Sequence, residues 1–567
     1  MKFLSLHVDH IKFKPLKKAI KKIQDLTDKE KEGGESKEAL VILTAVEKVD
    51  KNVDEVVKEF VKHVKDIAGQ VKAKNIVLYP YAHLSSNLAS PEVATEVLDK
   101  ADKTLRKDFK VVQAPFGYYK EFEMKVKGHP LSELSGEINV GGKEEVEKEG
   151  DSKQLLREIS KTKLDTSKLK DNDHRILGQQ MDLFSFNETA PGMVFWHNNG
   201  LVIRDELINF WKGVHQNAGY LQVSTPQILD KRLWQISGHW EKYRDNIFLT
   251  EYEKRTFVVK PMNCPGGILI YKNKPKSYKD LPLKVGELGI VHRQELSGVL
   301  GGLFRVIQFT QDDAHIYCNE KQVEAEIGKI MDLVDLFYSK FSFKYEVELS
   351  TRPEKRIGSD KLWDKAEKAL QKVLNNRKIK YKLNKGEGAF YGPKIDFHLK
   401  DSLGRTWQCG TIQVDFSMPE RFELEYTDKD NKKKKPVMIH RTIYGSLERF
   451  IGVLLEHYNG RLPTWLAPVQ VKVLSLTDRN ELYVNKVARQ LQDEIDCLRV
   501  ECDIRQITVP SKVKDAELMK IPYIILIGDK EEKDGTLAVR VRGDKAIKNM
   551  KFKDFVEDLK EEIEDRI

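Results

Sequence analysis

Cysteine is scarce: five residues, at positions 264, 318, 409, 497 and 502 of 567, are odd in number and scattered. That excludes a disulfide framework and points to a reducing compartment. Long hydrophobic runs are missing too, and none approaches the ~18 residues needed to cross a membrane. The opening Met1-Lys2-Phe3-Leu4-Ser5-Leu6-His7 meets charge too early for a secretory signal. No charge of one sign dominates, because 97 basic and 88 acidic residues leave only +9. Such a balance permits a polyanionic partner without requiring one. No internal repeat is visible, which excludes a repeat architecture. What is present is a 33% charged surface and 40% apolar residues. That content predicts a soluble cytoplasmic chain of three or four domains with several cores.

Residues 1–142 read as a compact α/β unit. Strand-like runs occupy Lys2–Val8, Ala39–Val46 and Asn75–Tyr79. An amphipathic helix lies between the last two, with Val53, Val56, Val57, Phe60, Val61, Val64, Ile67, Ala68 and Val71 at the spacing of one buried face. Residues 143–176 are almost wholly charged or polar and read as a linker with helical character. Strands and helices mix across 177–462, and Pro463-Thr464-Trp465-Leu466-Ala467-Pro468 marks a boundary. Residues 463–567 alternate strand and helix, which predicts a small α/β domain with a largely parallel sheet.

Three segments in the third block carry chemistry. They are Lys260-Pro261-Met262-Asn263-Cys264-Pro265-Gly266-Gly267, Thr310-Gln311-Asp312-Asp313-Ala314-His315, and His440-Arg441-Thr442-Ile443-Tyr444-Gly445-Ser446-Leu447-Glu448-Arg449-Phe450. Together they offer one cysteine and two histidines, Cys264, His315 and His440. A thiolate with two imidazoles suits zinc and leaves one coordination position open. The intervening 50 and 124 residues are too long for a finger-type spacing, so spacing alone does not identify a metal.

These segments resemble the threonyl-tRNA synthetase family of class II aminoacyl-tRNA synthetases. His292-Arg293-Gln294-Glu295 resembles the second class II signature and Gly445-Ser446-Leu447-Glu448-Arg449 the third, while Pro226 stands where the first keeps a proline at a dimer interface. The resemblance covers roughly residues 190 to 567 and implies a catalytic domain built on an antiparallel sheet. It implies L-threonine, Mg-ATP and threonine tRNA as substrates, one zinc per chain, and a homodimer formed through this domain. Adenylate formation is an in-line attack on the α-phosphate, so it calls for fixed cations more than for a nucleophile. Arginine suits that task because its planar fork grips phosphate with two hydrogen bonds. By resemblance Arg293 holds the α-phosphate, Arg305 and Arg449 the outer phosphates, and Glu295 the adenine amino group. Gln408, Thr411 and Gln413 flank the adenylate, and the glycine-rich stretch 298–303 covers ATP. Gln311, Asp313 and Tyr391 line the threonine pocket with Met262 and Ser446, and Asp313 faces the ammonium. His239 matches a histidine that helps deprotonate the terminal ribose. Gly267 and Ile307 depart from the family, which commonly has histidine and arginine there. A prolyl enzyme is disfavoured by the Cys264/His315/His440 set, and a non-catalytic paralogue by the retention of Arg293 and Arg449.

Zinc with an open position separates threonine from valine but not from serine, and losing one methyl group is worth only ~1–3 kcal/mol in a pocket. A second, hydrolytic site is therefore expected. The first 142 residues resemble the archaeal editing domain, a relative of D-aminoacyl-tRNA deacylases, through Tyr79–Ser86, Ala114–Lys120 and Gly128–Ser135. His83, Tyr119, Lys120 and Glu133 are implied as its pocket. The C-terminal block resembles the anticodon-binding domain of class II synthetases, with Glu531 and Arg540 as base readers and Arg542 as a further RNA contact.

Overall fold

The computed structural model describes residues 1–20, 23, 25–48, 50, 52–85, 87–138, 169–401 and 404–566. They fall into two compact units, one within residues 1–156 and the other within 157–567. Most of the predicted 143–176 linker lies outside the described residues.

In the N-terminal unit a six-stranded mixed sheet is built around the strand Lys2–Lys18. This strand runs ten residues past the predicted Val8. Its first residues pair with Glu133–Glu137, and from Val8 on it pairs with Tyr118–Val126, with a register shift between Val8 and His10. Gly34–Ala45, Asn75–Pro80 and Lys110–Gln113 complete the sheet, paired in parallel. The predicted helix is Val53–Val71. Asn52 caps it, and Val56, Val57, Phe60, Val61, Val64, Ile67 and Ala68 are buried. With a second helix, Pro91–Leu105, it covers one sheet face over Leu40, Ile42, Ile76 and Leu78.

The second unit is organised by an eight-stranded sheet. Its core runs in the order Lys344–Ser350, Lys394–Lys400, Thr406–Asp415, Val437–Thr442, Gln308–Cys318, Leu283–His292, every pair antiparallel. Two short strands, Tyr381–Asn384 and Leu221–Gln222, add in parallel at the edges. The helices Asn198–Asn217, Val323–Lys340 and Leu447–His457 pack on one face, and Phe210, Trp211, Phe337, Tyr338, Tyr444 and Phe450 form the core there. The opposite face is left for the site.

The C-terminal sheet is mixed rather than largely parallel. Val471–Ser475 pairs in parallel with Val500–Asp503 and Tyr523–Ile527, but Thr536–Val541 and Ile547–Lys551 are antiparallel. Only Gly528, a six-residue helix and the left-handed Gly535 separate Tyr523–Ile527 from Thr536–Val541, too little chain for a parallel crossover. All five cysteines carry free thiols. No helix among the described residues is long and apolar enough to cross a membrane.

Candidate active site

The open face of the second unit holds a cleft of about 500 Å³. Strand alternation builds it, because residues two apart share a face. Gln311, Asp313 and His315 therefore align on one strand, Thr411, Gln413 and Asp415 on another, and His440 and Thr442 on the strand between them. Register joins the rows: His315 lies opposite His440, and His440 opposite Gln413. Cys264 opens the helix Cys264–Lys272 beside them. Ligand atoms of Cys264, His315 and His440 all lie within 4.8 Å of one another, and all three residues are buried.

This donor set fits a zinc ion on three observations. His315 Nε2 is buried with no hydrogen-bond partner. His440 Nε2 is within 2.9 Å of an Asp415 carboxylate oxygen, which leaves its Nδ1 free as a ligand and orients the ring. Burial pushes the Cys264 thiol well up, a cost that a bound cation reverses. Beside this set, burial also raises the Asp313 carboxyl to about 7. A fixed ammonium placed against it would restore the charged form. The Tyr391 hydroxyl donates to Gln413 at 2.5 Å, closing the same end.

The other end of the cleft is cationic. Arg293 packs its guanidinium over the Phe309 ring at 5.0 Å, and its Nε donates to the Pro261 carbonyl. Arg449 donates through Nε to the Phe304 carbonyl at 2.9 Å and through a terminal nitrogen to that of Gln408. Both cations are thus aimed by backbone oxygens, with donors left over for a ligand. Arg305 and Glu295 hold each other in an ion pair of 2.8 Å, so a ligand that uses both must open it. Gln408 and Thr411 both donate to Asp396 Oδ1. Ser446 caps the helix Leu447–His457 by accepting from the Arg449 N–H. Met262 also lines the wall.

The N-terminal unit has its own pocket, about 470 Å³, at the ends of Gly34–Ala45 and Asn75–Pro80. His83, Tyr119 and Lys120 line it together. The Lys120 ammonium donates to the Pro115 and Tyr118 carbonyls at 2.8 and 3.1 Å and lies 5.0 Å from the Tyr79 ring centre. Among the described residues no carboxylate pairs with it, and desolvation pulls it down to about 8.

Sequence comparisons address each part of the chain. Residues 1–138 match the archaea-specific editing domain of threonyl-tRNA synthetase, 248–458 the class II core domain of the G, H, P, S and T synthetases, and 470–562 an anticodon-binding domain. A threonine–tRNA ligase of Desulforamulus reducens is 52% identical over 397 residues, covering 70% of this chain and 62% of its own. One from Carboxydothermus hydrogenoformans is 51% identical over the same shares. The solved RNA-binding domain of threonyl-tRNA synthetase from Cryptosporidium parvum superposes with a TM-score of 0.66 at 38% identity, over 68% of this chain and 97% of that one. The chain belongs to the threonyl-tRNA synthetase family. It matches less than two thirds of the length of the curated relatives.

Five residues that the resemblance implies for the sites lie in other surroundings. His239 does not face the cleft: it is fully buried, its Nδ1 2.8 Å from the Ser237 hydroxyl and its Nε2 2.8 Å from the Met262 sulfur. Desolvation lowers it to about 3, so it remains neutral. Glu133 is exposed on its strand opposite Leu6 and is not among the residues lining the N-terminal pocket. Glu531 is buried, accepting the Gly528 N–H as part of a helix cap, and Arg540 is ion-paired to Glu517. Arg542 is structural: its guanidinium donates to the Lys520 and Leu462 carbonyls.

Sequence reading missed Asp312, Asp396 and Asp415. Asp312 is fully buried and accepts from Trp211 Nε1 and from the Ile443 and Gly445 N–H groups, fixing the turn before Arg449. The signal was available as alternation, because Asp415 stands two residues beyond Gln413. Of the two departures from the family, Ile307 is buried and its carbonyl accepts the Arg293 N–H. A Cβ at Gly267 would meet only His315, at 3.6 Å.

Proposed function

We propose that the chain is a threonine–tRNA ligase. It activates L-threonine with ATP, transfers it to threonine tRNA, and hydrolyses mischarged seryl-tRNA in the N-terminal unit. One observation carries the reading: one cleft gathers two backbone-aimed arginines, Arg293 and Arg449, and the Cys264/His315/His440 donor set. Arg293 and Arg449 meet the charge that develops on the phosphates as the threonine carboxylate attacks. Glu295 and Arg305 open their pair to hold adenine and the outer phosphates. Asp313 takes the ammonium and Gln413, held by Tyr391, fixes the adenylate. A zinc ion held by Cys264, His315 and His440 would supply Lewis-acid coordination to the threonine hydroxyl and amine together, of which valine could offer only the amine.

Serine fills that position as well, so rejection falls to the second pocket. Lys120 there orients the ester or its attacking water, with His83 and Tyr119 beside it. Base reading by Glu531 and Arg540 requires both to leave their present partners on RNA binding. A homodimer through the catalytic domain is supported by exposed apolar side chains within residues 195–252, among them Phe195, Leu201, Leu221, Ile228 and Leu249, since apolar surface of this kind marks interfaces. The free thiols fit a reducing compartment such as the cytoplasm.

ATP–pyrophosphate exchange with threonine, serine and valine, run beside metal analysis, tests the reading. Threonine is activated well, serine appreciably and valine very little, in a protein with about one zinc per chain. Equal activation of valine refutes the metal-based selection.

A further inference from the structure

Among the described residues one other set of ligand-type side chains clusters, Asp173, His174 and Glu456. It is not a metal site, because its donor atoms are already committed. The His174 ring is buried, with Nδ1 2.7 Å from Glu456 Oε1, and its Nε2 accepts the Leu303 N–H at 3.0 Å. An amide can only donate, so Nε2 carries no proton and Nδ1 holds it. Glu456 also accepts the His174 N–H and pairs with Arg405, while the Asp173 carboxylate is taken up by Arg175.

Leu303 belongs to the glycine-rich loop, two residues before Arg305. The loop closes on itself through Gly301 N–H to the Arg305 carbonyl and Phe304 N–H to that of Gly301. Gly302 has a φ of +53°, and a Cβ there would come 2.2 Å from His174 Nε2. The imidazole also packs on Phe304, ring centres 4.2 Å apart, and Phe304 stacks on Trp407 at 4.0 Å. The Phe304 carbonyl in turn aims Arg449. One imidazole therefore fixes the loop that carries Arg305 and, through Phe304, touches the carbonyl that orients Arg449.

We propose that His174 is a positioning residue that fixes the glycine-rich loop over the ATP end of the cleft. This rests on reading the cleft as an ATP site. Nothing in it acts on the threonine end, so the effect is selective for nucleotide.

Three variants of the full chain test it: His174→Asn, which can still donate to Glu456 but is too short for Leu303; His174→Gln, which reaches Leu303 with Oε1; and Gly302→Ala, which pushes the loop off an intact His174. KM for ATP and for threonine is measured by pyrophosphate exchange, and amide exchange of residues 301–305 by mass spectrometry. In His174→Asn and Gly302→Ala, KM for ATP rises about tenfold, KM for threonine stays within about twofold, and the loop amides exchange about tenfold faster. His174→Gln restores most of both. Unchanged loop exchange in His174→Asn overturns the proposal, as does a matching rise in both KM values or a His174→Gln no better than His174→Asn. A wild-type chain with no threonine-dependent exchange defeats the ligase reading instead, and the loop amides still decide this one.

Discussion

Replacing Gly445 by alanine tests whether the turn before Arg449 sets the rate. Gly445 has a φ of +78°, and its Cβ would be 2.4 Å from the Cys409 carbonyl oxygen. The Cys409–Gly410 peptide is held by the Gly410 N–H, which donates to the buried Tyr338 hydroxyl at 3.0 Å, so the turn must move. Relief from 2.4 Å to at least 3.0 Å is a shift of about 0.6 Å. The Gly445 N–H donates to Asp312 at 2.8 Å, and the next residue, Ser446, caps the Arg449 helix, so the shift passes to the Arg449 guanidinium. Misplacement near 1 Å costs on the order of 10²-fold in rate, and about 10²-fold is expected in threonine-dependent pyrophosphate exchange. The left-handed backbone itself costs an alanine only about 1–2 kcal/mol. Gly219→Ala separates the two effects, because Gly219 has the same φ of +78° with no atom within 4 Å of its Cβ. It should lose stability of that size and keep its activity. Near-normal exchange by Gly445→Ala would refute the claim that this turn aims Arg449.

Cys264→Ser and His315→Ala should each remove the bound zinc and abolish threonine activation while the fold persists; metal analysis and circular dichroism read both, and full activity in a zinc-free preparation sinks the metal argument. Arg293→Ala should lower pyrophosphate exchange by on the order of 10²-fold or more; a normal rate means the phosphate assignment is wrong. Deleting residues 1–142 should leave threonyl-tRNA formation intact while seryl-tRNA accumulates, and Lys120→Ala should reproduce part of that without changing threonine activation; unchanged clearance of seryl-tRNA by the truncated chain removes the N-terminal unit as the editing module. Lys120→Met should stabilise the N-terminal unit near pH 7. Folding lowers the lysine from 10.5 to about 8, so between those values the unfolded chain binds more protons and stability rises with pH. The gain over wild type is capped at ~3 kcal/mol and shrinks to nothing toward pH 10.5; urea denaturation at pH 7 and 10 with the same difference at both would contradict it.

The parts that sequence made legible share one physical property: their signal is local. The helix Val53–Val71 follows from apolar spacing. Cys264, His315 and His440 came from words of known order, and strand register then brought His315 and His440 face to face. Illegible residues depend on what lies across the fold. Nothing near His239 in sequence says that Met262 will cover its Nε2. Nothing near Glu531 or Arg540 announces that a backbone amide and Glu517 will occupy them. Asp312 was hidden for a related reason, since a carboxylate that binds backbone amides across strands leaves no motif of its own, whereas Asp415 was marked only by its alternation with Gln413. The mixed C-terminal sheet was misjudged because alternation of strand and helix does not reveal a six-residue helix too short to cross over.

The two pockets differ in the way their proposed tasks require. In the cleft, backbone carbonyls aim Arg293 and Arg449, whereas burial raises Cys264 and raises Asp313 in spite of its bond from Asn263. Such a site is built to receive a cation at one end and an anion at the other. That arrangement recognises a hydroxyl and an amine strongly but measures a methyl group only through packing, worth ~1–3 kcal/mol. The N-terminal pocket has one lysine among largely apolar walls, pulled down to about 8 and facing carbonyls rather than a carboxylate. An ammonium so poorly compensated gains most from a ligand that brings partial negative charge, such as an ester carbonyl under attack. Tight ground-state binding would waste that gain, whereas placing the charge where the transition state develops it turns the same destabilisation into rate. The hydrolytic role proposed for Lys120 is consistent with that cost to folding.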